Sequence, residues 1–236
     1  MAMIINEATG SNLSSQLRNH LWQPLRLTDF YLSQEETIPP DQQAHVYGDN
    51  WDGPIRDVTF LPRTSHESIT YGSSGIFTTS ENLARWSQAL FEGEVLEAES
   101  MDEMLDFVTF KPVSNMRGYG LGVEEFVRQI ASGQRAIGHG GGNIGTTTYM
   151  VYLPEQQVSV VVMINAFPNE GADEITRGLI RVVLSDLGAF EIIPYLLANW
   201  LYLIIAASAI VFVTNVIYQL LRRKRTQNSD PKNSKK

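Results

Sequence analysis

Apolar residues recur along this chain with two periods, one typical of strands and one typical of helices. Two apolar runs, Thr146–Leu153 and Val158–Ile164, predict neighbouring strands, because they are rich in β-branched residues and a Pro-containing turn separates them. Elsewhere apolar residues return every three or four positions, which predicts amphipathic helices. These helical segments are the stripe Leu13, Leu17 and Leu21; a helix opened by the capping sequence of residues 78–81, with Leu83, Trp86, Leu90 and Phe91 on one face; residues 100–107; and residues 173–187, with Ile175, Leu179, Ile180, Val183 and Leu184 facing inward.

The order of these elements predicts an α/β fold with mixed helices and an antiparallel sheet. The two clear strands follow each other through a short turn, which is the usual connection of an antiparallel pair. Residues 33–70 form a long irregular stretch with four prolines. Because compact domains rarely contain structureless connections of this length, we expect a substrate-side loop or a mobile lid there.

The longest uncharged stretch of the chain is residues 192–221. Its thirty residues exceed the roughly 20 that a helix needs to cross a bilayer. Aromatic residues that suit the membrane interface lie toward its ends, at Tyr195, Trp200, Tyr202 and Tyr218. The alternative is a buried core helix, but core helices are rarely uncharged over such a length. The predicted organisation is therefore a domain at residues 1–190, a transmembrane helix at 191–221 and a basic tail at 222–236.

Charge is divided unevenly between this tail and the rest of the chain. Residues 222–236 hold seven basic residues and one acidic residue, whereas the other 221 residues carry a net charge of −14. By the positive-inside rule the tail is cytoplasmic and the domain extracytoplasmic, which predicts a single-pass protein of the cell membrane. A tail-anchored protein with the domain inside is the alternative. The acidic domain also argues against nucleic acid as a partner.

A histidine stands among glycines just before the two predicted strands. His139 is followed by Gly140, Gly141 and Gly142, and Gly118–Gly122 holds three more glycines. Glycines let backbone N–H groups approach a bound oxyanion, and a histidine can bind a substrate or carry a proton. The alternatives are a histidine bonded to backbone and a glycine bulge or tight turn.

Several segments together resemble the serine β-lactamase and penicillin-binding-protein-like hydrolases, in the branch related to class C β-lactamases. The triplet at His139 is similar to the Lys-Thr-Gly or His-Thr-Gly-like triplet of that family. Residues 3–10 resemble its helix ending in Thr-Gly, and residues 21–30 its turn with Pro-Leu-Gly-Met. Residues 75–86 are similar to its Gly-Gly-Leu-x-Ser-Thr segment. The resemblance covers about residues 1–187 and implies a β-lactamase/transpeptidase-like fold.

The residues that supply the family's nucleophile are missing from the matching part of this chain. The family's Ser-x-x-Lys and Tyr-x-Asn both come before the segment that residue 1 resembles. The one Ser-x-x-Lys here, Ser229–Lys232, lies in the polar tail and contains a proline, which would break the helix that presents both side chains. We therefore expect a truncated hydrolase. The first thirty residues also show no signal peptide, so an export signal would lie upstream with the nucleophile.

The resemblance implies acyl transfer on an amide, lactam or ester, possibly in peptidoglycan-type peptides. His139 would be the catalytic residue of this portion, and Gly140, Gly141 and Gly142 would form the substrate-binding wall, with the Gly142 N–H as an oxyanion donor. No cofactor is implied. The spacing of the other histidines does not suit a metal site.

Whether the chain acts as an enzyme stays open at this point. The expected partners are the membrane through residues 192–221, a small-molecule or peptide substrate, and a complementing N-terminal segment. The alternative function is a membrane-anchored regulatory or binding domain, a pseudoenzyme without the chemistry. The His-Gly-Gly-Gly loop of α/β-hydrolase lipases is a third possibility, but it requires a Gly-x-Ser-x-Gly elbow that this chain lacks.

Overall fold

A computed structural model of the chain describes residues 1–49, 53–61, 69–113, 115–168, 171–188 and 199–228, with side chains described as far as residue 219. The chain divides into two compact units, Met1–Phe190 and Glu191–Lys236.

The first unit is built on a six-stranded antiparallel sheet, in which strands that follow each other in the chain are neighbours in space. The predicted strands are confirmed with the predicted bounds, and they pair over their whole length, from Val158 opposite Leu153 to Ile164 opposite Thr147. The sheet strands are β5 (Val108–Val113), β6 (Met116–Tyr119), β7 (Glu124–Phe126), β8 (Ile137–Asn143), β9 (Thr146–Leu153) and β10 (Val158–Ile164). This mixed α/β architecture is the predicted fold class.

Short strands form two smaller sheets beside the main one. Strand β1 (Tyr31–Leu32) pairs with β4 (Ile76–Phe77), and β2 (Tyr47–Gly48) lies between β3 (Arg56–Asp57) and β11 (Ala166–Phe167). The stretch predicted to be irregular therefore contributes strands β1 to β3, although residues 50–52 and 62–68 of it lie outside the described residues.

The helices differ from their predictions by one to three residues at their ends. The capped helix begins one residue later than predicted, because Thr79 is its N-cap and accepts a hydrogen bond from the Asn82 N–H at 3.2 Å. The Leu13 stripe continues beyond its helix as a π-helical turn, Arg18–Trp22. The helices of this unit are α1 (Ala2–Thr9), α2 (Leu13–Leu17), α3 (Ser80–Phe91), α4 (Ala98–Met104) and α5 (Ala172–Asp186).

Hydrophobic clusters join the helices to the sheet. Helix α5 packs on the sheet through Ile180 and Leu184, which are fully buried against Val151 and Leu153 of β9. A separate cluster joins Ile137 and Tyr152 to residues of α3 and α4. A third cluster is centred on Trp22 and Phe30 and packs α1 and α2 together.

The predicted inward face of α5 is partly wrong. Ile175 and Leu179 are 47% and 43% exposed, whereas Thr176, one residue further along the helix, is fully buried. The buried face follows Thr176, Ile180 and Leu184, at a spacing of four residues. The spacing of the apolar residues therefore predicted the helix correctly, but two of the five residues assigned to its inward face, Ile175 and Leu179, lie toward solvent.

The second unit contains one long helix, α6 (Trp200–Asn228). Its segment Trp200–Gln219 has a mean hydropathy of 2.2 and is long and apolar enough to cross a membrane by length and composition. Residues 192–198 of the predicted span and 229–236 of the predicted tail lie outside the described residues. The transmembrane assignment remains a prediction.

Candidate active site

Strand β8 carries all four predicted site residues, His139 and Gly140–Gly142, within one regular strand. It pairs with β9 along its whole length, from Ile137 opposite Tyr152 to Asn143 opposite Thr146. On its other side β7 pairs with it at Ile137 and Gly138 alone. From His139 onward, the side of β8 away from β9 has no paired strand among the described residues. We call this side the open edge of β8.

Backbone N–H groups at alternate residues of β8 point toward the open edge. The Ala136 carbonyl accepts a hydrogen bond from the Phe126 N–H on β7 at 3.0 Å, and the Gly140 N–H donates to the Glu124 carboxylate. Because backbone groups alternate sides along an antiparallel strand, the N–H of Gly142 is also directed to the open edge, whereas Gly141 faces β9. The Gly142 N–H therefore faces the open edge, and its role as an oxyanion donor stays a prediction.

The glycines of β8 lie within a strand and not in a turn. A Cβ at Gly142 would lie 2.6 Å from the ring of Phe167, so that a side chain here would force the ring of β11 to move. At Gly140 a Cβ would lie 3.4 Å from the ring of Tyr149, and at Gly141 it would meet no atom within 4 Å. Among Gly140, Gly141 and Gly142, close packing therefore requires glycine most strongly at position 142.

His139 is held at the open edge by contacts to both of its ring nitrogens. Its Nδ1 lies 2.5 Å from the Gly140 carbonyl oxygen, and its Nε2 lies 3.1 Å from the Tyr119 hydroxyl. A carbonyl oxygen can only accept, so Nδ1 carries the proton in this contact. Nε2 accepts from the Tyr119 hydroxyl in the neutral ring and donates to it in the cationic ring. The Glu124 Oε1 lies 3.8 Å from Nε2. The His139 side chain is 42% exposed, which leaves it accessible to a ligand.

Glu124 and Tyr119 are functional candidates that the sequence analysis did not identify. Their Cα atoms are partners across the β6–β7 pair, so the tight connection between these strands brings both side chains beside His139. Tyr119 lies in the glycine-rich segment 118–122 that carried the resemblance, but no sequence spacing connects either residue with His139.

Burial sets the protonation behaviour of Glu124. Its side chain is 17% exposed, and this burial raises the pKa of Glu124 above its usual value, while the charge of His139 and the hydrogen bond from the Gly140 N–H act in the opposite direction. The adjacent Glu125 has a different environment, because Arg117 Nε and Arg135 Nε lie 3.2 and 3.4 Å from its carboxylate.

A groove of about 540 Å³ adjoins the glycines of β8. Two residues that line the groove bind Asp173, the second residue of α5. The Tyr149 hydroxyl and the Asn115 amide each donate a hydrogen bond of 2.5 Å to its carboxylate. Burial, reinforced by the neighbouring Asp173 carboxylate, raises the pKa of Tyr149 to about 12, so this hydroxyl stays neutral at physiological pH. The groove is lined by Val113, Asn115, Met116, Glu124, Phe126, Gly140, Gly141, Gly142, Thr147, Tyr149, Phe167, Pro168 and Ala172.

Tyr71-Gly72-Ser73 is a Tyr-x-Ser sequence that resembles the family's Tyr-x-Asn, but Tyr71 makes none of the contacts around His139. The Tyr71 side chain packs on the cluster around α1 and α2, donates its hydroxyl to Glu35 and accepts from Asn6 Nδ2 at 2.9 Å. Its contacts are therefore structural. The Ser-x-x-Lys at Ser229–Lys232 lies outside the described residues.

Solved structures of several hydrolases share this fold with the chain. A D-amino acid amidase from Ochrobactrum anthropi SV3, complexed with L-phenylalanine amide, is 24% identical with a TM-score of 0.67, over 78% of this chain and 55% of the amidase. A D-stereospecific amidohydrolase from Streptomyces sp. is 23% identical with a TM-score of 0.62, over 75% of this chain and 51% of the other. A penicillin-binding protein homologue from Pyrococcus abyssi is 20% identical with a TM-score of 0.61, over 78% of this chain and 40% of the homologue.

The chain spans about half the length of these solved structures, and less of the Pyrococcus abyssi protein. At such identities the likeness shows a common fold. The sequence model of the family described as Beta-lactamase matches residues 1–185, which is most of the chain. This match agrees with the family to which the segments around His139 pointed, and the chain belongs to the Beta-lactamase family.

Proposed function

We propose that this chain supplies the β8 wall of a membrane-anchored serine hydrolase that transfers acyl groups from amides, lactams or esters. The observation that carries the proposal is the open edge of β8, the strand that holds both the accessible His139 and the outward-directed Gly142 N–H. An N–H that binds an oxyanion and a group that can move a proton are what acyl transfer requires.

The proposed reaction needs a serine and its lysine partner from a segment outside this chain. The serine oxygen attacks the acyl carbonyl carbon while its proton passes to the lysine, and the carbonyl oxygen becomes an oxyanion. The Gly142 N–H stabilises that oxyanion. His139 contacts the leaving group or the substrate carboxylate, and the leaving group departs with a proton as the acyl-enzyme forms. Water then releases the acyl group and restores the serine.

Peptides that contain D-amino acids are the substrate class that we favour. The fold is shared with a D-amino acid amidase and with penicillin-binding proteins. The groove beside β8 has apolar walls at Val113, Met116, Phe126 and Phe167, which suits a substrate with an apolar side chain.

The chain by itself is expected to be inert as a hydrolase, since its Ser-x-x-Lys lies in the polar tail. Purified chain incubated with a chromogenic cephalosporin, a p-nitrophenyl ester and a fluorescent penicillin should give no turnover and no covalent adduct. An active β-lactamase and an active esterase serve as positive controls for turnover. A labelled serine in this chain, located by mass spectrometry, would refute the proposed division of the active site.

A regulatory pseudoenzyme is the second candidate function. It is favoured by the groove and the exposed His139 in a domain whose sequence contains no Ser-x-x-Lys. The DNA upstream of the gene separates the two candidates. A Ser-x-x-Lys and a signal peptide in frame, or displaced by one frameshift, support the hydrolase; their absence supports the pseudoenzyme.

We further propose that residues 192–221 cross the cell membrane once, with the domain extracytoplasmic and Lys236 in the cytoplasm. The uncharged run and the four consecutive basic residues from Arg222 support this orientation. In a fusion with an export signal at the N-terminus, a reporter attached after Lys236 should be active in the cytoplasm. Replacing Arg222–Arg225 by glutamine should weaken that preference. Reporter activity outside the membrane in the unsubstituted fusion would reject the orientation.

A further inference from the structure

We propose that Glu124 is a positioning residue for His139, holding the imidazole ring at the open edge of β8. This inference rests on the proposed function for its catalytic meaning, but its structural content is independent of activity. Glu124 contacts two parts of β8 at once, the His139 ring and the Gly140 N–H.

The carboxylate of Glu124 contacts the Gly140 N–H, which is the first backbone N–H directed to the open edge. By accepting from Gly140 it fixes the backbone at the residue whose carbonyl oxygen binds His139 Nδ1. The same carboxylate lies 3.8 Å from His139 Nε2. Glu124 thus lies near both ring nitrogens, at ion-pair distance from Nε2 beside the Tyr119 hydroxyl and through Gly140 at Nδ1. The second outward N–H, at Gly142, stays available for a ligand.

Among the charged and titratable groups that the structure describes around Glu124, His139 is the one that lies at ion-pair distance from its carboxylate. Tyr119 on β6 faces the same ring, and Tyr149 on β9 lies on the groove side, where its hydroxyl is already bound to Asp173 of α5. Within the described part of the chain, the arginines near this sheet edge, Arg117 and Arg135, contact Glu125. Of these groups, His139 is the one whose charge acts on the pKa of Glu124 and lowers it, against the effect of burial.

Holding His139 in one orientation matters because its side chain is 42% exposed. An exposed ring without fixed partners samples several rotamers, and ordering it during the reaction costs free energy. Two contacts to Nε2 and one to Nδ1 define the ring plane before a ligand arrives. A catalytic group that is misplaced by about 1 Å can lower a rate by about 10²-fold.

The test uses the full chain in detergent micelles, with glutamate side-chain carboxyl groups labelled with ¹³C and histidine rings labelled with ¹⁵N. In His139→Gln the pKa of Glu124 should rise, because the attractive charge is removed while the burial that raises it remains. In Glu124→Gln the His139 ring nitrogens should lose their single ordered state and resemble those of a solvent-exposed histidine. Glu125→Gln is the matched control and should leave the His139 signals unchanged.

Unchanged His139 ring signals in Glu124→Gln, or an unchanged Glu124 titration in His139→Gln, would overturn the proposal. Circular dichroism checks that each variant is folded, and Glu124→Asp provides a second variant that keeps the charge and should retain part of the ring order. In an active form joined to a nucleophile-bearing segment, Glu124→Gln should lower kcat by about 10²-fold with a smaller change in KM. If no active form can be made, the proposed function fails, and the NMR experiment still decides the role of Glu124.

Discussion

His139→Ala is expected to lower kcat/KM by about 10²- to 10⁴-fold in an active form of the enzyme, made by joining this chain to a nucleophile-bearing segment. The reason is that loss of a group that moves a proton or binds the leaving group acts on the transition state. The melting temperature should stay the same, because His139 belongs to none of the hydrophobic clusters and its side chain is 42% exposed. Steady-state kinetics and thermal unfolding of the same variant check both parts.

A matched control is His45→Ala, at a histidine that contacts Asp57 at 2.8 Å on the exposed β2–β3 side of the domain. It removes the same side chain at a residue that neither lines the groove nor contacts His139, and it should leave kcat/KM unchanged. If His139→Ala instead keeps its kinetics and loses about 1–3 kcal/mol of stability, the histidine is structural, since removing its ring would leave the polar groups around it without partners. That outcome would also remove the main support for the proposed function.

The strands around the site were predictable because their signals are local. Val158–Ile164 is a run of apolar, mostly β-branched residues interrupted only by Ser159, and it packs against helices α3 and α5. Its strand character therefore needs no knowledge of the rest of the chain. The strand that carries His139 was not predicted from this pattern, because its clustered glycines suit a bulge or tight turn equally well.

The partners of His139 were not predictable in the same way. Glu124 and Glu125 are neighbours of the same residue type, yet one contacts the histidine and the other contacts two arginines. Which of them reaches the open edge depends on the β6–β7–β8 register, which contains an irregularity between Met116 and Gly118. A shift of one residue in this register would exchange the two environments. Composition and spacing carry no information on that choice.

The inward face of α5 shows a similar limit. Ile175 and Leu179 were assigned to the core because they are apolar, although the helix turns Thr176 inward and these two residues outward. Burial of Thr176 has a local reason, since its hydroxyl donates to the Ala172 carbonyl at 2.8 Å and so needs no partner from the sheet. A polar residue with its own backbone partner can occupy a core position that hydrophobicity alone assigns elsewhere.

Gly138→Ala is expected to destabilise the first unit by several kcal/mol, the largest effect on stability that we predict. A Cβ at this position would lie 1.9 Å from the Met150 carbonyl oxygen, a backbone atom of the paired strand that cannot move without disturbing β9. Gly138 also has φ of 150°, which side chains of L-residues rarely adopt. Overpacking costs about 1–3 kcal/mol and backbone strain of this kind about 1–3 kcal/mol.

Because whole domains are stable by only about 5–15 kcal/mol, this change should move the urea midpoint of the full chain in detergent far downward. Gly141→Ala is the matched control, since a Cβ there meets no atom within 4 Å and its φ is not in the positive range. It should leave the midpoint nearly unchanged, or raise it slightly by restricting the unfolded chain. Near-ultraviolet circular dichroism follows both variants. Equal midpoints for the two variants would show that β8 does not approach Met150 closely at Gly138, and the register that places His139 at the open edge would lose its support.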